Sequence, residues 1–130
     1  MNKEAELLLC DGREQVCQAL SAAAEELGFR LRNTAPRSSG AGETVTWGEW
    51  SNKSTDCPVV DEVSYQVKIW ARDLDRLRAI SAGVNRAMLG LGLRRNYTSP
   101  DDFTEDGVGF YTKTFRFGRR VDKRTMRLID

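Results

Sequence analysis

Histidine is absent from the 130 residues, and its absence excludes more chemistry than any residue present establishes. Without imidazole the chain lacks the usual general base near neutral pH and the commonest transition-metal ligand. Serine triads, cysteine–histidine dyads and ordinary zinc sites are therefore closed to it. Carboxylates and lysines alone can support catalysis, but the expectation is a protein that is not an enzyme, with no cofactor and no metal.

Cysteine is scarce as well. Cys10, Cys17 and Cys57 are odd in number and show no Cys-x-x-Cys spacing. They read as reduced thiols in a cytosolic setting, a poor fit to a disulfide framework. No apolar run approaches the ~18 residues of a membrane span, so no membrane is expected as a partner. Near the N-terminus only Leu7, Leu8 and Leu9 stand in succession before charge returns, which is unlike a secretory leader. There is no overall charge imbalance either: 20 Lys and Arg face 19 Asp and Glu. Bulk charge therefore points neither to nucleic acid nor to an anionic surface. No internal repeat or low-complexity tract is present.

What remains is an ordinary globular composition, and a chain of this length is most simply one domain. Its organising stretch is 62–93. Val63, Tyr65, Val67, Ile69 and Ala71 alternate with Ser64, Gln66, Lys68 and Arg72, the period of a half-buried strand. Trp70 breaks that pattern by standing on the polar side. From Asp73 the period lengthens: Leu74, Leu77, Ile80, Val84, Ala87, Met88 and Leu91 form one helix face. Asp73 is the expected N-cap, and Gly90 or Gly92 the stop.

Upstream, a helix is expected over 11–27, with Val16, Leu20, Ala23 and Leu27 as its stripe and Gly28 as its end. Phe29 and Leu31 begin a short strand. The segment 35–43 is loop-like, and 43–50 is a strand with Val45 and Trp47 on one face and Thr44, Thr46 and Trp50 on the other. The polar segment 51–61, which holds Cys57, reads as a loop ordered by contact with something else. Downstream, 93–97 is a candidate strand and 99–106 an acidic turn. A final strand spans 109–118, with Tyr111, Phe115 and Phe117 on one face and Thr112, Thr114 and Arg116 on the other.

This order predicts an α+β two-layer sandwich: a mainly antiparallel sheet of about four strands with two helices on one face. The domain should occupy 1–118, followed by a basic extension over 119–130. Two helices on one face leave the other face bare. Trp70 belongs there, with Trp50 beside it, either as a contact surface or beneath the chain's own 51–61 loop. Asp101, Asp102, Glu105 and Asp106 form the only carboxylate cluster, and their spacing is not that of an EF-hand loop; a solvated turn is the simpler account. Arg116, Arg119, Arg120, Lys123, Arg124 and Arg127 stand against one acid, Asp122. Next to Tyr111, Phe115 and Phe117, they mark either a nucleic-acid surface or a solvated, subunit-contacting tail. Gly83 suggests a close helix approach. Cys57 lacks a histidine to lower its pKa and reads as incidental chemically.

The run VSYQVKIWARDLDRLRAISAGVNRAMLGLGLRRNY, followed by an acidic loop and GFYTKTFRFG, resembles the small tail completion proteins of tailed bacteriophages, often prophage-encoded. These are also described as head-to-tail joining or tail terminator proteins. The likeness covers roughly 11–118 and rests on hydrophobic patterns, on Trp70 at the end of its strand, on the Leu-Arg-Arg turn and on KTFRF at 113–117. It implies a virion structural protein assembling as a ring, typically a homohexamer, that caps the head-proximal end of the tail. Its partners would be other copies of itself, the major tail tube protein and the head connector or stopper. Double-stranded DNA would pass through the ring without sequence-specific binding. Such a protein works in the host bacterial cytoplasm during assembly and then in the virion neck. Residues 119–130 depart from the pattern. Under this reading Trp50, Cys57 and Trp70 would serve partner contacts. The other reading is a small nucleic-acid-binding protein using its basic C-terminal tail, through Arg116, Arg119, Arg120 and Arg124.

Overall fold

A computed structural model of the chain describes residues 13–32, 36, 42–54, 60–103, 109–122, 124, 127 and 128. Within them two helices, α1 (Arg13–Leu27) and α2 (Leu74–Gly90), accompany one sheet. Its strands are β1 (Arg30–Arg32), β2 (Thr44–Ser54), β3 (Val60–Ala71), β4 (Arg94–Thr98), β5 (Asp102–Phe103), β6 (Tyr111–Asp122) and β7 (Arg127–Leu128). The α+β class stands as expected. The sheet is larger than the four strands anticipated, with seven among the described residues, and it is mixed: β1 runs parallel to β2. The order is β1-β2-β3-β6-β4, with β5 and β7 also pairing with β6. The short strand expected from Phe29 is present as β1, while the unexpected β5 and β7 are two residues each, too short to show a periodicity.

Alternation in β3 and β6 builds the core. Val63, Tyr65, Val67 and Ile69 point to the helices, and across from them Phe115 and Phe117 share that face. Val16, Leu20 and Ala23 of α1 and Leu77, Ile80, Val84 and Met88 of α2 close over them. Each such fully buried side chain stabilises the fold by roughly 1.5–3 kcal/mol before entropy is counted. Both helix ends follow the local chemistry. Asp73 accepts the Arg76 backbone N–H at 2.8 Å, and Gly28 and Gly92 take the positive φ that ends each helix. The first two residues of the helix expected over 11–27 lie outside the described residues. Arg76 locks the helices together: its Nη2 donates to the Leu27 carbonyl at 2.7 Å, and its Nε to Glu43 at 3.3 Å. Gly83 does mark a close approach, since a Cβ there would run into the Leu27 side chain.

Two boundaries move. The described parts of the segment 51–61, expected as a loop, are strand: β2 runs on to Ser54, which pairs with Asp61 of β3. Polar alternation there looked like loop composition because one of its faces meets solvent. The boundary expected at Gly118 falls inside β6, which pairs with β3 through Asp122.

A basic, aromatic groove on the open sheet face

The sheet face turned away from the helices is built in cross-strand rows. Gln66 of β3 stands opposite Arg116 of β6, and Tyr97 of β4 beside Arg116. The next row is Ser51, Ser64, Gly118 and Arg94, and the third is Lys53, Glu62 and Arg120. The register slips in β2 between Glu49 and Ser51, and in β4 between Arg95 and Tyr97. An extra residue on one strand bends it and re-aims a side chain. In β2 that residue is Trp50. The two irregularities flank the straight β3–β6 pair.

Arg116 is the hub of the aromatic row. Its Nε donates to the Gln66 amide oxygen at 3.0 Å. Its guanidinium carbon lies 4.0 Å from the Trp50 ring centroid and 4.8 Å from that of Tyr97. Each cation–π contact contributes about 0.5–1 kcal/mol at such exposed sites. Even so, Trp50 is 53% and Tyr97 43% exposed, so much of each ring faces solvent.

Below the rings the floor is lined by small residues. The Ser51 and Ser64 hydroxyls are 2.6 Å apart. A Cβ at Gly118 would come within 2.6 Å of the Asn96 amide nitrogen and 3.3 Å of the Val63 carbonyl. The resulting concavity has a volume of about 930 Å³ and is lined by Lys53, Arg94, Arg116, Arg119 and Arg120 against one acid, Glu62. A chain almost neutral overall thus concentrates positive charge in one place.

The expected site residues fare differently. Trp50, Arg116, Arg119 and Arg120 converge on this groove. Arg119 contributes from the helix side, where its Nη1 donates to the Leu91 carbonyl at 3.2 Å and places positive charge at the C-terminal end of α2. Arg124 is exposed and turned to its neighbour, with Nη2 2.9 Å and Nε 3.2 Å from the Asp122 carboxylate. Cys57 lies outside the described residues.

Trp70 is corrected. It sits on the face expected for it but is only 8% exposed, between buried Thr44 and Thr112 on the neighbouring strands. Lys68 lies 5.1 Å from its ring centroid. The described part of the 51–61 segment pairs at the other end of β3, roughly 20–30 Å from Trp70 at ~3.3 Å per residue. The open face is therefore covered around Trp70 and uncovered around Trp50.

The acidic cluster is divided. Asp101 pairs with Lys113 at 2.8 Å and Arg78 at 3.6 Å. The hydrogen bond from Lys113, supported by both positive charges, holds its carboxyl below the ordinary aspartate value. Asp102 accepts the Phe103 backbone N–H, while Glu105 and Asp106 lie outside the described residues. Among the described residues no group of three or more acids and cysteines comes together to hold a metal.

Sequence reasoning missed Tyr97, Arg94, Lys53 and the Ser51–Ser64–Gly118 floor. One signal was available for Tyr97: an aromatic two residues after Arg95, in a strand otherwise polar. Comparison with known proteins finds no matching family model and no matching curated protein.

Proposed function

We propose that this chain is a non-enzymatic assembly protein of a phage tail, a ring subunit that caps the head-proximal end of the tail and joins it to the head. The observation carrying this reading is the uncovered sheet face with Trp50, Arg116 and Tyr97 at its centre. Trp, Tyr and Arg are the residue types that dominate binding energy at protein interfaces. The architecture supports it too. A closed ring is made by head-to-tail contacts between two unlike surfaces, and here a helical layer and an open sheet face lie on opposite sides of one subunit. The resemblance in the hydrophobic pattern over roughly 11–118 points the same way.

The test is complementation of a tail-completion-defective phage, with particles viewed by electron microscopy. Trp50→Ala combined with Tyr97→Ala is expected to leave tails uncapped and heads unjoined, because a truncated hot-spot residue costs about 2 kcal/mol or more. A double variant that folds normally and still joins heads to tails would sink the reading.

One observation favours a second reading, nucleic-acid binding: the groove's five basic residues against one acid. It moves the basic surface from the C-terminal tail, where the sequence had suggested it, to the sheet. Arg124, within that tail, is already matched by Asp122.

A further inference from the structure

We infer that the groove between Trp50 and Tyr97 binds single-stranded nucleic acid, with bases stacked on the two rings and phosphates held by Lys53, Arg94 and Arg120. The inference rests on the nucleic-acid reading and narrows it; it uses the same rings, Trp50 and Tyr97, as the proposed ring contact, and oligonucleotide binding tests it separately from head–tail joining.

The rows of the open face place these functions in order. The aromatic row comes first, then the floor of Ser51, Ser64 and Gly118, then the cationic row of Lys53 and Arg120, with Arg94 closing the floor row at the edge of the sheet. A base standing on the floor meets a ring on one side, and its phosphate reaches the cations on the other. From β2 to β4 the groove crosses three strand spacings, roughly 14 Å. That width suits about two or three bases splayed over a sheet, as single-strand readers use them.

Arg116 is not available to phosphate in the same way, because it is engaged by both rings and by Gln66. Its part is to hold the rings upright, about half exposed, for a flat partner. The serine hydroxyls and the Asn96 amide offer hydrogen bonds to base edges without demanding one sequence.

Other occupants fit less well. In a duplex the bases are paired and stacked inside, out of reach of Trp50 and Tyr97. An acidic polypeptide would answer the cations but leave the rings without flat partners. Lys53 and Glu62 are of types depleted at protein interfaces, whereas a cationic groove beside exposed aromatics is the usual platform for a single strand.

The test uses the full chain and fluorescence anisotropy with labelled oligothymidine of roughly a dozen nucleotides. A duplex of equal length and polyglutamate serve as competitors. The single strand is expected to bind more tightly than the duplex, with affinity falling as salt rises. Trp50→Ala and Tyr97→Ala should each weaken it roughly tenfold, and Trp50→Phe should restore most of the loss. Arg94→Ala and Arg120→Ala should each lower the salt slope by about 0.7. Thermal melting shows whether each variant remains folded. Duplex binding equal to single-strand binding, unchanged by the ring variants, would overturn the stacking inference while leaving the nucleic-acid reading. No oligonucleotide binding at low salt would overturn both, and displacement by polyglutamate as readily as by oligothymidine would overturn both in favour of an acidic polypeptide.

Discussion

Two positions, one lining the groove and one outside it, show how single residues set its surroundings. Gly92 has φ +83°, where an L side chain is strained by about 1–2 kcal/mol. A Cβ there would also displace Arg119 from the end of α2. Gly92→Ala is therefore expected to lower stability by at least that strain, read as a reduced urea midpoint with unchanged slope. Asp101 is the titratable counterpart. Its carboxyl is held below 3.8, first by the Lys113 hydrogen bond, so folding favours the charged form. That contribution is complete above the unfolded pKa and is lost as pH falls through the lower folded one. Asp101→Asn should therefore melt lower than the parent at neutral pH. The gap between the two should close as pH drops below about 4. A gap that stays constant into acid would show that the ion pairs carry no net stability.

At the scale of the element, the sequence reveals an α-helix most readily and an irregular strand least. The caps and stripe of α2 could be read directly, since Asp73, the run from Leu77 to Met88 and Gly92 are local signals. The faces of β3 and β6 were equally plain, because a period of two survives wherever one side is buried. The register slips were not legible. Nothing local announces that Glu49 and Ser51 face consecutive partners or that Asn96 is skipped, yet these slips create the groove. For the same reason two tryptophans that both stood on the polar side of a strand pattern have opposite fates. Trp70 lies in regular pairing and is buried; Trp50 sits at the irregularity and is exposed. Trp70→Ala is expected to cost about 3–5 kcal/mol, in the range of large core truncations. Trp50→Ala should cost less than about 1 kcal/mol, mainly its cation–π contact. Equal losses for the two in chemical denaturation would contradict this division of the open face.

For the whole molecule, the question is whether 119–130 is an appendage or part of the fold. Composition made it look like a basic tail, because Arg119, Arg120, Lys123, Arg124 and Arg127 show no apolar period. Pairing assigns its first residues elsewhere: Arg119, Arg120, Val121 and Asp122 complete β6 against Val63, Glu62, Asp61 and Val60, and β7 adds to the far side of that segment. Val63 and Asp61 are both buried at this end of the sheet. Deleting 119–130 would strip β3 of its β6 partner there, leaving only β2, remove the Arg119 contact to the end of α2 and take two cations from the groove. Deleting only 123–130 leaves β6, the groove and the Leu91 contact in place. The longer deletion is therefore expected to lower stability by several kcal/mol, from lost strand pairing and newly exposed core. The shorter one should lose less than half as much. It should also keep the proposed oligonucleotide binding, since Lys53, Arg94 and Arg120 all remain. Urea unfolding of the two truncated chains, alongside anisotropy, checks both outcomes. Equal stability of the two would return 119–122 to the status of a tail, and with it the basic surface first suggested by the sequence.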